Sequence, residues 1–220
     1  MTLAAKTEKT GVRPQTRESG REPDIVVKQL GRVDYHPTWL AMRAFTLGRD
    51  DATPDELWLL EHPRVYTVGQ GADLPSVRAD IPVVKTDRGG DITYHGPGQV
   101  VIYTLVDLAR RGIKVRRFVW LLEQAVIDLL GVRADRKPGA PGVYVDGAKI
   151  ASLGIRVVRG RAYHGLALNV DMDLSPFAAI DPCGYPGLRV TQMRDLWFDF
   201  SVAEAGQRLT ALINERLADA

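Results

Sequence analysis

The sequence predicts an α/β (α+β) fold: a single domain with a mixed, largely antiparallel open sheet flanked by helices. Three observations carry this. The run 99–106 (Gln-Val-Val-Ile-Tyr-Thr-Leu-Val) is nearly all apolar and β-branched, which suits a central strand buried on both faces. Residues 115–130 place Val115, Phe118, Val119, Leu122, Val126, Leu129 and Leu130 at the i, i+3, i+4, i+7 spacing of an amphipathic helix, which Gly131 ends. Residues 143–170 read as an antiparallel meander, because Asp146-Gly147 and Arg159-Gly160 each separate two β-rich runs. The element order lacks the regular βαβ alternation of a doubly wound fold.

The other elements follow in order. Residues 25–30 form a first strand, closed by Gly31. Pro37 opens a helix as its first residue, and Trp39, Leu40, Arg43 and Leu47 recur at near-helical spacing up to Gly48. Residues 57–61 and 64–69 are short strands broken by His62-Pro63, and 81–86 is another, ending at the turn of Arg88-Gly89-Gly90. Residues 88–98 read as a glycine-rich loop and 137–142 as a Pro/Gly loop. Val202, Leu209, Leu212, Ile213 and Leu217 mark a closing amphipathic helix near 201–217.

Composition bounds the function. The chain of 220 residues is 45% hydrophobic and 25% charged, average values for one soluble domain. No apolar run approaches the ~20 residues of a membrane span. The N-terminus lacks the apolar centre of a secretory signal, so a cytoplasmic location is expected. Lys6, Lys9, Arg13, Arg17 and Arg21 outnumber Glu8 and Glu18 in residues 1–21, a net of +3 that leaves the remainder at −1. Basicity thus resides in the tail, and bulk charge gives no nucleic-acid reading. Residues 1–21, without aromatics, are expected to be disordered, with a catalytic domain over 22–220.

Cys183 is the sole cysteine, which excludes an intramolecular disulfide and a CxxC metal site. A lone cysteine is more often a small buried hydrophobe. Here it sits between Pro182 and Pro186 in a loop, where function concentrates. A thiol of pKa ~8.5 is largely protonated at neutral pH, and a neighbouring ammonium lowers that value. Lys149, two positions after the Asp146-Gly147 turn in an otherwise apolar stretch, is a candidate for that ammonium. An exposed strand lysine is the commoner explanation for such a position. The four histidines, His36, His62, His95 and His164, form no local metal motif. His95 and His164, each before a glycine, suit pocket roles, while His36 and His62 read as structural.

Four segments in this order resemble the lipoyl(octanoyl) transferase family, related in fold to lipoate and biotin protein ligases. They are Arg-Gly-Gly-x-x-Thr-Tyr-His-Gly-Pro-Gly-Gln (88–99), Lys-Ile-Ala-Ser-Leu-Gly-Ile-Arg (149–156), His-Gly-Leu-Ala-Leu-Asn-Val (164–170) and Pro-Cys-Gly (182–184). The resemblance runs from about residue 25 to about 195. It implies an octanoyl-[acyl carrier protein]:protein N-octanoyltransferase. It further implies octanoyl-acyl carrier protein as the donor, and lipoyl domains of 2-oxoacid dehydrogenase complexes and the glycine cleavage H protein as the acceptors. No metal, cofactor, nucleic acid or membrane is expected to take part. It implies that Cys183 carries the acyl thioester and Lys149 lowers its pKa. Arg88, Gly89, Gly90, Asp91, Ile92, Thr93, Tyr94 and His95, with Ser152, Leu153, Gly154, Gly165, Leu166 and Ala167, are implied to bind substrate. Asp181 stands where many members carry Asn; its carboxylate is expected to point away from the thiol. Arg88, Arg116, Arg117, Arg136, Lys137, Arg156, Arg159 and Arg161 offer a basic docking patch. The alternative on the same scaffold is an ATP-dependent lipoate or biotin ligase, which needs an adenylate-binding loop and no cysteine.

Overall fold

The structure is a computed structural model that describes residues 25–72, 80–131, 134–180 and 187–220. The expected N-terminal tail and Cys183, with its neighbours in 181–186, lie outside the described residues. The chain runs β1 (Val26–Arg32), α1 (Tyr35–Gly48), β2 (Glu56–Glu61), β3 (Val65–Val68), β4 (Val83–Lys85), β5 (Ile92–His95) and β6 (Gln99–Leu105). It continues through α2 (Val115–Leu130), β7 (Ala134–Lys137), β8 (Ala140–Val145), β9 (Ala148–Val158), β10 (Arg161–Asn169) and α3 (Val202–Ala218). Among the described residues the large sheet has the order β1-β2-β6-β10-β9-β8-β7, and a small one the order β4-β3-β5. In the large sheet only β1 and β2 run parallel; the other neighbours are antiparallel, as the meander required.

Every residue of β6 is buried, because both faces of the large sheet are covered. On one face α2 and α3 bring Phe118, Leu122, Val126, Leu209 and Ile213 against Ile102, Ile150, Leu166 and Leu168. On the other, α1 sets Tyr35 and Met42 against Trp58, Val101, Tyr103 and Ala167. The small sheet has its own core of Tyr66, Val68, Ile92, Tyr94 and Phe177. No helix among the described residues is long and apolar enough to cross a membrane.

Local chemistry explains the elements. At both predicted hairpins the central residues have positive φ (Asp146 48°, Gly147 79°; Arg159 52°, Gly160 78°), the primed turn whose twist matches the strands. In α3, Ser201 and Glu204 form a reciprocal capping box. Three readings change. The glycine-rich loop contains β5, which pairs with β3. The Pro/Gly loop is a strand pair, β7–β8, turned by Pro138-Gly139 with Gly139 at φ 77°. Helix α1 starts at Tyr35, two residues before Pro37. In each case side-chain burial or strand partners outside the segment decide the outcome, and no local pattern encodes them.

Candidate active site

Between the α1 face of the large sheet and the glycine-rich segment lies a largely apolar pocket. The three substrate-binding segments read from sequence meet here. Arg88, Gly90, Asp91, Ile92, Thr93 and His95 line one side, and Ser152, Leu153, Gly154, Gly165, Leu166 and Ala167 the other. Register explains the second group: Ser152–Gly154 of β9 pair directly with Gly165–Ala167 of β10. Two predicted residues do not line this pocket. Tyr94 turns into the small-sheet core against Tyr66 and Phe177. Gly89 lines a neighbouring groove with Val115 and Val119 at the start of α2.

Arg88 builds the wall from within. It is buried, and its Nε and Nη2 donate to Thr67 Oγ1 at 3.1 and 3.0 Å, while Nη2 and Nη1 donate to the carbonyls of Asp91 and Gly89. The Gly89 N–H donates to Ile155 O at 3.2 Å, tying the segment to β9. A Cβ on Gly154 would lie 3.0 Å from Gly89 O and 3.1 Å from Arg88 Cδ, so glycine is what lets the two segments touch. Arg88 therefore leaves the basic docking patch. So does Arg161, which pairs with Asp107 at 3.2 Å and donates to Arg49 O. Arg116, Arg117, Lys137 and Arg159 are exposed.

Polar residues that sequence reasoning passed over complete the pocket. Tyr35 and Tyr103 line it, and Asp87 backs it. Asp87 accepts from His164 Nε2 at 2.8 Å, from Trp39 Nε1 at 2.8 Å and from the Tyr163 hydroxyl. Burial opposes its charge, but these three donors hold its pKa below the usual carboxylate range. No spacing signal marked Asp87, since it lies at a strand end beside the motif. His164, which makes this contact, has its backbone in the left-handed region at φ 62°. His62, read as structural, donates through Nδ1 to Val33 O and accepts from the Tyr103 hydroxyl at 2.7 Å. His36 is exposed, edge-on to Trp39.

Burial pushes the pKa of His95 down to about 3, aided by the neighbouring His62, and that of His62 down to about 4. Unfolded, each titrates near ~6.5, so the unfolded chain binds protons that the folded one refuses. Their contribution to stability is complete above ~6.5 and is lost as pH falls toward those folded values. Tm is expected to fall as pH drops from about 6.5 to about 4, and less steeply in His95→Gln. A flat Tm across that window contradicts this.

Lys149 is 1% exposed, against the commoner expectation of a surface lysine. Its ammonium sits 5.6 Å from the Tyr144 ring centroid, a cation–π distance. The side chain passes over Gly142, where a Cβ would meet Lys149 Cε at 2.6 Å and Nζ at 3.2 Å. Gly142 pairs with Ser152, so the ammonium is carried back along β9 toward the Ser152 end of the pocket. The Lys149 backbone is also paired: its N–H donates to Arg189 O at 2.8 Å and its carbonyl accepts from Thr191 N–H at 3.0 Å. The chain that follows Cys183 in sequence thus runs beside Lys149. Among the described residues no cluster of three or more His, Cys, Asp or Glu could hold a metal ion.

Comparison with known proteins gives the relationship. Residues 34–214 match the family described as the lipoyl protein ligase A/B catalytic domain. The octanoyltransferase of Aromatoleum aromaticum is 57% identical over 220 residues, covering 98% of this chain and 95% of the relative. That of Thiobacillus denitrificans is 64% identical over 194 residues, covering 86% and 89%. In fold, the chain is similar to the putative lipoate protein ligase from T. acidophilum solved with bound lipoic acid. The TM-score is 0.70 at 17% identity, over 88% of this chain and 86% of that one. Biotin protein ligase from Aquifex aeolicus, in complex with biotin and ATP, superposes at TM-score 0.52 and 10% identity, over 89% and 70%. The chain thus belongs to the octanoyltransferases, acyltransferases of lipoate biosynthesis built on the lipoyl protein ligase A/B catalytic domain.

Proposed function

We propose that the protein moves an octanoyl group from octanoyl-acyl carrier protein to the target lysine of lipoyl domains, through a thioester on Cys183. The observation that carries this reading is Lys149: a buried side chain directed over Gly142 toward the Ser152 end of a largely apolar pocket, with the chain downstream of Cys183 paired to its backbone. Ile92, Val101, Leu153, Leu166 and Ala167 provide the apolar wall for the acyl chain. Each buried CH₂ contributes ~0.8 kcal/mol, enough to hold an eight-carbon group.

The chemistry balances without a cofactor, because the donor is already a thioester. The Cys183 thiolate attacks the donor carbonyl carbon, the bond to the carrier's sulfur breaks, and the departing thiolate takes a proton from the Lys149 ammonium. This leaves octanoyl-Cys183 and a neutral Lys149. The acceptor lysine, having released one proton to solvent, attacks the new thioester as a free amine. Its second proton passes to Lys149 and the Cys183 thiolate departs, restoring the starting pair. Backbone N–H groups of the Ser152–Gly154 stretch or of Cys183-Gly184 suit the oxyanion. Exposed Arg116, Arg117, Lys137 and Arg159 supply positive charge for docking the acidic donor. The lipoyl domains of 2-oxoacid dehydrogenase complexes and the glycine cleavage H protein are the acceptors. The reaction is cytoplasmic and involves neither nucleic acid nor membrane.

Gly142 gives an indirect test. Its φ of 143° and the 2.6 Å approach to Lys149 Cε leave no room for a methyl group. Gly142→Ala should displace the ammonium and lower octanoyl transfer by ~100-fold, since misplacement of about 1 Å costs that much. Steady-state rates with octanoyl-carrier protein check it; an unchanged kcat sinks the placement of Lys149. The function itself is tested by mixing enzyme, octanoyl-carrier protein and a lipoyl domain without nucleotide. An octanoyl amide on the lipoyl-domain lysine is expected. A strict need for ATP would point instead to a ligase.

A further inference from the structure

We propose that Asn169, backed by Gln99, is a positioning residue for Lys149. Asn169 ends β10 opposite Gln99 of β6, and both amides are buried, at 5% and 2% exposure. The Asn169 side-chain Nδ2 donates to Thr191 O at 3.0 Å, and its backbone carbonyl accepts from Met193 N–H at 3.0 Å. Thr191 N–H in turn donates to Lys149 O, and Lys149 N–H to Arg189 O. Residues 189–193 are therefore strapped on one side to Asn169 and on the other to Lys149.

Behind Asn169 the chain of hydrogen bonds continues into the pocket. Gln99 Nε2 donates to Asn169 Oδ1 at 3.0 Å and to Tyr94 O at 3.2 Å, and Gln99 Oε1 accepts from His95 Nδ1 at 2.7 Å. The backbone carbonyls of Tyr94 and Thr191 can only accept, which fixes the orientation of both amides and the His95 tautomer. A buried polar chain satisfied at every step specifies one arrangement where apolar packing would tolerate several. Its end product is the placement of the 189–193 segment, with its β-bridge at Val190, against Lys149.

This inference rests on the proposed pairing of Lys149 with Cys183, and the experiment separates the two. Cys183 is the sole cysteine, so the pH dependence of iodoacetamide alkylation reports on it alone. In Lys149→Met the alkylation profile should move to higher pH. In Asn169→Leu, with Lys149 intact, it should move the same way, and a one-unit shift slows alkylation by about tenfold at pH values below the wild-type thiol pKa. The kcat for transfer should fall while KM for the octanoyl donor holds. Where Asn169→Leu fails to fold, Asn169→Ala removes the same amide hydrogen bonds without added bulk or charge, and the same shift is expected. A lower Tm with an unmoved alkylation profile would reduce Asn169 to a fold residue and overturn the proposal. If Lys149→Met shifts the profile and neither Asn169 variant does, the proposal falls and the cysteine–lysine pairing stands. If Lys149→Met leaves the profile in place, both fall.

Discussion

Replacing Lys149 with Met is expected to lower octanoyl transfer at neutral pH by at least ~100-fold, the lower range for loss of a positioned acid–base group. The fold should survive. Lys149 is among the largest fully buried side chains, and methionine has a similar unbranched shape without the cost of burying a charge. Rate and stability should thus separate: kcat collapses while Tm holds or rises. That separation is the signature of a lysine kept for chemistry. Steady-state kinetics and a thermal melt on one preparation check it; a wild-type kcat removes Lys149 from the mechanism.

The largest stability loss is expected far from the pocket. Asp55 is fully buried and accepts from Arg49 Nη2 at 2.5 Å, Arg110 Nη2 at 2.8 Å, Arg111 Nε at 2.6 Å and the Asp107 N–H at 2.8 Å. It thereby joins the end of α1, the start of β2 and the turn after β6. Asp55→Ala leaves the Arg49 guanidinium, whose side chain is 0% exposed, without its carboxylate. Breaking a buried pair from one side costs about 3–5 kcal/mol, to be read from urea unfolding. A loss below about 1 kcal/mol contradicts this. Burial raises the Asp55 pKa, but the Asp107 N–H, Arg111 and Arg49 outweigh it and hold the value low. Its contribution is present above the unfolded carboxylate value of ~3.9 and is lost as pH falls through the lower folded value.

These contacts show what the sequence could and could not display. Helix α2 was legible to the residue because its apolar stripe and Gly131 are local signals. The turn at Asp146-Gly147 was legible because only residues tolerant of positive φ fit there. Strands β5 and β7 were hidden: β5 lies within a glycine-rich segment, and β7 (Ala-Asp-Arg-Lys) has no apolar alternation. Neither reads as a strand until its partner is known, 24–30 residues back for β5 (β3) or across a two-residue turn for β7 (β8). The pocket was legible in its motif segments, and the sheet register explains why Ser152–Gly154 and Gly165–Ala167 lie side by side on its wall. Asp87, Tyr35 and Tyr103 were not. Each reaches the site from an unmarked position, and their meeting depends on how α1 and the small sheet close over β6 and β10. The burial of Lys149 was equally invisible, because its side chain packs over Gly142 and Tyr144 and its backbone pairs with residues 189–191, forty positions downstream.

The central claim is that Cys183 carries the acyl group, and intact-mass analysis of the enzyme mixed with octanoyl-acyl carrier protein alone tests it. A single octanoyl adduct is expected, mapping to the peptide that contains Cys183, absent in Cys183→Ala and discharged when a lipoyl domain is added. Transfer to the lipoyl domain with no adduct, or an adduct that persists in Cys183→Ala, would contradict the covalent mechanism.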